Sequence, residues 1–287
     1  MKNKIRYFYN MIIDKIVEYD DYSVIQSENN IFILKKIYDK NTELIKSNEY
    51  FKIITNNFGD IVTNIENEDF ILMLLMRKYE NLYDNFNIDV YPTESNVLTS
   101  ELWTKKVEYL KQQIINFGND KYELVQSFNY FCGLAENAIS IMKKCERKGY
   151  VKKNFICHKR IYYPNNTINY YDPTCYIIDY KARDVAEYIK SYFFKSKESK
   201  YDDIKRIIEK FALNSDDFEI MYARLTFPTA YFDYFEKNIF SNKLEYSESK
   251  NNVDDIYRYK NLLKELYNYF ENYYKKNPSI YIEWINK

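Results

Sequence analysis

Glycine is nearly absent from this chain: Gly59, Gly118, Gly133 and Gly149 are the whole supply in 287 residues. A backbone that closes around phosphate oxygens depends on residues without Cβ, so one glycine before position 118 argues against such a cradle. Cysteine is scarce too. Cys132, Cys145, Cys157 and Cys175 are widely spaced and form no Cys-x-x-Cys pair, which suits reduced, buried thiols better than a disulfide framework. There is one histidine, His158, and no ligand spacing supports a metal held by Cys157, His158 and Cys175. No charge of one sign dominates. Forty-two basic and 42 acidic residues are intermixed, which argues against a dedicated nucleic-acid surface or an anionic-membrane binder. The longest clean apolar run, Phe70 to Met76, is far too short for a membrane span. Asp14, Lys15, Glu18 and Asp20 interrupt any signal-like stretch, so the expectation is a protein made and kept in a cytosol.

What is present in excess is tyrosine, 33 of them, alongside much Asn, Lys and Ile. Tyrosine suits cores and half-exposed helix faces, where the ring packs and the hydroxyl stays wet. Residues 7 to 19 carry Phe8, Ile12, Ile16 and Val17 at helical spacing. Tyr22 to Gln26 and Ile31 to Ile37 read as two strands of a tight hairpin. The second strand carries Lys35, which reads either as a phosphate-contacting lysine or as one of the lysines that keep an edge strand soluble. Thr42 to Ile54 reads as a helix, and Ile61 to Ile65 and Asp69 to Met76 as strands. Pro92 and the polar run Thr93 to Asn96 read as a connector.

Beyond it the pattern is helical. Ser100 can cap a helix with Trp103, Val107, Leu110 and Ile114 inward, and Gly118 lies just past its end. Leu124 to Cys145 continues the pattern and stops before Gly149; Ile204 to Phe211, Phe218 to Leu225 and Val253 to Tyr273 follow. Ser241 to Asn252 reads as a polar, mobile loop. Strands followed by helices predict an α+β chain, divided into a small lobe over 1–95 and a helical lobe over 96–287.

The most informative stretch runs from Phe155 to Phe194. Cys175 to Ile178 suits a buried strand that ends on a carboxylate, Asp179. Asp184 and Glu187 then form an Asp-x-x-Glu capping pattern opening a helix. The arrangement resembles the helical lobe of the protein-kinase-like fold of aminoglycoside phosphotransferases and choline kinases. In that fold a His-x-Asp-x-x-x-x-Asn loop precedes a strand ending in a metal-binding Asp. By this resemblance His158 takes the loop histidine, Asn165 the metal-side asparagine and Asp179 the metal aspartate. The catalytic aspartate would fall on position 160, which is Arg160.

Five segments sharpen the likeness. Ser127-Phe-Asn-Tyr-Phe-Cys-Gly-Leu-Ala-Glu-Asn-Ala138, Cys157-His-Lys-Arg160, Arg183-Asp-Val-Ala-Glu-Tyr-Ile189, Met221-Tyr-Ala-Arg-Leu-Thr-Phe-Pro-Thr-Ala-Tyr-Phe232 and Ile282-Glu-Trp284 are similar, in order, to motifs of the YutH spore-coat proteins, relatives of the CotS group. Residues 1–95 carry no such match. The resemblance implies a two-lobed kinase-like fold and a vestigial site at His158, Arg160, Asn165 and Asp179. Lys35 is the candidate nucleotide contact. An arginine cannot serve as a general base at physiological pH and would repel Mg²⁺ while pairing with Asp179. The expectation is therefore a pseudokinase with no cofactor and no metal, synthesised in the mother-cell cytoplasm and then deposited on the spore coat. Its partners are other coat proteins, without nucleic acid or membrane insertion. An active small-molecule kinase is the alternative, and a helical interaction module without a nucleotide site the third class.

Overall fold

The computed structural model describes residues 1–38, 42–77, 80–82, 88–118, 121–196, 201–239, 246–275 and 280–286. The chain divides into two compact units, one of Met1–Phe86 with His158–Ile177 and one of Asn87–Cys157 with Ile178–Lys287.

The first unit is built on a six-stranded antiparallel sheet. Helix α1 (Lys2–Tyr9) precedes strands β1 (Lys15–Glu18), β2 (Tyr22–Ser27), β3 (Asn30–Ile37), β4 (Phe51–Ile54), β5 (Val62–Ile65) and β6 (Glu68–Leu75), arranged β1-β2-β3-β6-β4 with β5 also on β6. Strand β6 is the apolar run noted above, and it is apolar because both of its faces are covered. Phe70 and Leu72 pack with Ile25, Leu34 and Ile5 of α1, while Ile71 and Met73 pack with Phe51 and Ile45. Three short elements complete the unit: β7 (Asn81–Leu82), β9 (Asn165–Asn166) paired with it, and helix α4 (Thr167–Tyr171). Ile168 and Tyr171 of this returning segment lie against the Ile71 side of the sheet.

Three local readings change here. The helical spacing over residues 7–19 breaks at Asn10, whose left-handed backbone (φ 48°) ends α1, and Lys15–Glu18 instead pairs with β2. Between Thr42 and Ile54 there is no helix. The Asn48 side chain accepts hydrogen bonds from the amides of Tyr50 and Phe51, turning the chain into β4 on the edge of β6. The strand carrying Lys35 is not an edge, since β3 pairs with β2 on one side and β6 on the other.

The second unit is helical apart from two strands that continue into the first, β8 (Phe155–His158) and β10 (Tyr176–Asp179). Its helices are α2 (Thr99–Phe117), α3 (Tyr122–Lys148), α5 (Ala182–Lys195), α6 (Tyr201–Lys210), α7 (Ser215–Thr226), α8 (Thr229–Ile239), α9 (Tyr246–Tyr274) and α10 (Glu283–Asn286). Gly149 stops α3 in a left-handed conformation, φ 64°. Helix α7 is buried along its whole length, which places it at the centre of the bundle, packed on α3 and α5. Helix α9 begins at Tyr246, so 246–252 is helix rather than loop, and 241–245 lies outside the described residues. Helix α8, directly after Pro228, was not among the elements expected from the sequence, although Phe232, Phe235 and Ile239 recur at helical spacing.

Two caps differ from expectation. Helix α5 starts at Ala182, so Asp184 lies buried inside its first turn instead of capping it. Ser100 is likewise inside α2. The first amides of α2, on Thr99 and Ser100, donate to the carboxylate of Glu146 from α3, at 2.6 and 3.2 Å, and Ser100 Oγ donates to the same group. Glu146→Ala should therefore cost about 1–3 kcal/mol by orphaning these donors. Ser100→Ala should cost less, because both backbone bonds survive. Urea unfolding followed by circular dichroism would rank the two.

Candidate functional site

Four of the five residues singled out by the sequence lie in the first unit. His158 ends β8 and is buried. Its Nε2 is 2.7 Å from the carbonyl oxygen of Tyr170, which can only accept, so Nε2 carries the proton. The ring stacks on Tyr170 at 4.4 Å and meets Tyr176 edge-on. This is a bracing histidine. Arg160 follows two residues later on an exposed turn, with its Nη1 3.4 Å from the carbonyl of Lys159. Asn165 is buried, and its Oδ1 accepts the amide of Asn166 at 2.9 Å as β9 pairs with β7.

Lys35 projects from the middle of β3 onto the returning segment. Its Nζ bonds to the Asp172 carboxylate and lies 3.2 Å from Cys175 Sγ. Asp172 is fixed in turn by the amide and hydroxyl of Thr174, at 2.9 and 2.6 Å. Burial alone would lower the Lys35 pKa, but Asp172, helped by Cys175, outweighs it, and the ammonium is held above its ordinary value. Asn48 Nδ2 donates to the Tyr171 carbonyl at 2.7 Å, and Tyr50 stacks on Tyr171 at 4.0 Å. These contacts fasten residues 171–175 to the sheet.

Asp179 lies in the second unit, at the end of β10, and is almost fully buried. Its Oδ2 accepts Arg183 Nη1 at 2.8 Å and Arg224 Nη2 at 2.5 Å. Its Oδ1 accepts the Tyr180 amide at 2.8 Å and faces Lys153 Nζ at 3.7 Å. Burial pushes this carboxyl upward, yet Arg224, Arg183 and Lys153 together hold it far below the usual carboxylate range. Lys153 is itself lowered by burial, which Asp179 only partly counters, and it also donates to the Val97 carbonyl and Thr99 Oγ1 at 2.6 and 2.9 Å. Arg224 lies over the ring of Trp103 at 5.8 Å, and its Nε is buried without a hydrogen-bond partner. Cys157 donates to the Tyr180 carbonyl beside this cluster, its thiol pushed well up by burial.

The cations that the structure shows on Asp179 are thus Arg183, Arg224 and Lys153, where the sequence reading had named Arg160. The sequence carries two signals for the arginines. Arg183 follows Asp179 by one helical turn, and Arg224 sits in the Met221–Phe232 segment already singled out. Among the described residues no three His, Cys, Asp or Glu side chains converge as a metal would require. Hard divalent cations take oxygen ligands, and here three positive groups surround one carboxylate, the reverse of that donor set.

A small antiparallel sheet in the first unit and a mostly helical second unit give the chain a kinase-like α+β fold. Solved structures agree on the fold. An aminoglycoside phosphotransferase from Alicyclobacillus acidocaldarius matches with a TM-score of 0.58 at 10% identity, over 92% of this chain and 94% of that one. The AMP-bound spectinomycin phosphotransferase matches at 0.51 and 12%, over 92% and 96%. The family described as "Spore coat putative kinase YutH" matches residues 91–272, well over half the sequence. The chain belongs to this YutH family of spore coat proteins. The endospore coat-associated protein YutH of Bacillus subtilis (strain 168) is 24% identical over 173 residues, 54% of this chain and 50% of that protein, so the chain spans about half the length of that relative.

Arg224→Ala should cost about 3–5 kcal/mol, because it leaves a buried carboxylate with one guanidinium fewer. Lys4→Ala, which removes only a solvent-exposed ion pair with Glu66, should cost within about 1 kcal/mol. Thermal or urea unfolding of both variants would test this ordering.

The acid side of the stability curve gives a second check. The folded-state pKa of Asp179 lies below its unfolded value near 3.9, so its contribution is complete at neutral pH and drains away as pH falls below about 4. Asp179→Asn should be less stable than the natural chain at pH 7. Between pH 5 and pH 2 its stability should also fall less steeply.

Proposed function

We propose that this protein is a pseudokinase of the spore coat, a structural or assembly component that keeps the kinase-like fold without phosphoryl transfer. The observation that carries the reading is the cation cage around Asp179. Phosphoryl transfer needs metal ions bound at acidic positions, a cradle for the phosphates and a group to take up the nucleophile's proton. At Asp179 two guanidiniums already hold the oxygen that a metal would need, so the residues present do not fit Mg²⁺. At position 160 an arginine, always protonated, stands where the resemblance puts the base.

The sheet supports the same reading. Lys35, the candidate nucleotide contact, is engaged by Asp172 of its own unit. The β1–β2 connection is a tight turn closed by the Tyr19 amide on the Tyr22 carbonyl, and it carries Asp20 and Asp21. Carboxylates there would repel phosphates. In protein kinases the loop that covers the phosphates is rich in glycine.

In this proposal the protein is synthesised in the mother-cell cytoplasm and acts through contacts with other coat proteins. Membership of a spore-coat family supports that placement. No helix among the described residues is long and apolar enough to cross a membrane.

Mg²⁺–ATP at millimolar concentration should leave the melting temperature unchanged, and no phosphate should be released from ATP. A nucleotide present at a hundred times its Kd would add about 2.7 kcal/mol, a shift of several degrees in a thermal melt. Such a shift accompanied by ATP turnover would establish the active small-molecule kinase instead. A fluorescent fusion imaged through the growth cycle should label forming spores, and steady vegetative signal with dark spores would defeat the placement.

A further inference from the structure

Within the helical unit, away from Asp179, α3, α5, α8, α9 and α10 line a half-open cavity of about 310 Å³. That is about twice the volume of an engineered apolar cavity that takes up benzene, and it falls in the size range of small-ligand sites. Most of the wall is hydrocarbon. Leu134, Leu263 and Ile285 are buried in it, and Phe131 and Ile256 are partly buried. Phe194, 43% exposed, and the exposed Ala230 of α8 bring the cavity to the surface.

The polar side chains among its described residues are all committed. Tyr231 Oη lies 2.6 Å from Ser127 Oγ, and Tyr259 donates to the Leu225 carbonyl at 2.6 Å. Tyr130, Tyr234 and Lys260 hold partners in the chain as well. A polar or charged guest would have to break or share contacts already made, and a polar group buried without a partner is costly. Water meets the same difficulty, since a cavity water needs two to four polar partners. A hydrocarbon asks for none and is stabilised by every methylene it buries. Hydrocarbon is also scarce in water, so a chain that arrives through the solvent carries a polar head. In a half-open cavity that head can stay outside.

We propose that this cavity is a binding site for the tail of a single-chain amphiphile of roughly ten carbons, twice the benzene-sized volume, with its head group left in solvent at the mouth. All the lining residues belong to the helical unit and none is a vestigial kinase position, so the site stands independently of the pseudokinase reading.

The test is isothermal titration of the full chain with hexanoate, octanoate, decanoate and dodecanoate, each below its micelle concentration. Affinity should rise roughly fourfold per methylene up to decanoate and then level off as the cavity fills. Decanol and decyltrimethylammonium should match decanoate to within about threefold, because the head is not recognised. Ala230 lines the cavity from an exposed position, so Ala230→Trp can fill the mouth without entering the core. It should weaken decanoate by at least about tenfold, with the melting temperature of the free protein unchanged. The chain-length series needs only the natural protein, so it decides the matter even if the tryptophan variant fails to fold. Decanoate that does not bind at about 1 mM, or a preference of about tenfold or more for one charged head, would overturn the proposal. So would affinity that ignores chain length, or a folded Ala230→Trp that binds decanoate as well as the natural chain.

Discussion

A carboxylate buried at the end of β10 cannot remain ionised unless cations reach it, and much of the helical unit is arranged around that demand. Arg183 comes from the first turn of α5, Arg224 from the last turn of α7, and Lys153 from the approach to β8. Two of these cations also touch another part of the bundle. Arg224 covers Trp103 of α2, and Lys153 holds the Val97 carbonyl and Thr99 at the start of the same helix. Asp179 thereby joins α2, α5, α7 and the lead into β8 through one side chain. Apolar packing of α7 against α3 and α5 supplies the bulk of the stabilisation, since it removes most of that helix from water. The charge cluster adds directional contacts between those helices and the end of β10.

The first unit solves a related problem at Lys35. An ammonium in the middle of a sheet whose neighbours are Leu34, Ile71 and Phe70 needs an anion close by. Asp172 supplies it, itself oriented by Thr174. Since Asp172 lies more than a hundred residues away in sequence, the pair is a long-range staple that ties residues 158–177 to the strands of the first unit. Both positions that the family resemblance associates with phosphate chemistry are, on the proposed reading, neutralised from within the chain.

The two-part α+β character was legible because periodicity changes clearly along the chain, from alternating and β-branched runs to apolar residues three and four apart. Strands β2, β3 and β6 could be read locally for the same reason. What failed was decided by partners that a local window does not contain. Residues 15–18 have helical spacing but follow a left-handed Asn10 and lie beside β2. The start of α2 looked as though Ser100 caps it, because the true cap, Glu146, comes from a different helix. At the site the residue types were readable and the pairing was not. Asp179 could be recognised at a strand end, and Arg183 and Arg224 stood inside the segments singled out, but only the fold brings α7 against β10. The tyrosines hid a further feature, since nothing in their number distinguishes rings that fill a core from those that wall a cavity.

Buried ion networks are poor sources of net stability, because desolvation offsets most of the attraction, and apolar residues of the same volume often do as well. They are nonetheless hard to dismantle one residue at a time. Removing Asp179 alone leaves three buried cations facing one another, and removing either arginine alone leaves the carboxylate under-compensated. Every single step from the network toward an apolar core therefore passes through an unpaired buried charge that costs several kcal/mol, a large part of the stability of a typical domain. A chain that carries this cluster is held near its arrangement by that barrier, whether or not the carboxylate ever meets a metal ion. Persistence of a kinase-like strand end, lysine and helix set is what this physics produces in a protein whose proposed work is done by its surface, with no appeal to catalysis required.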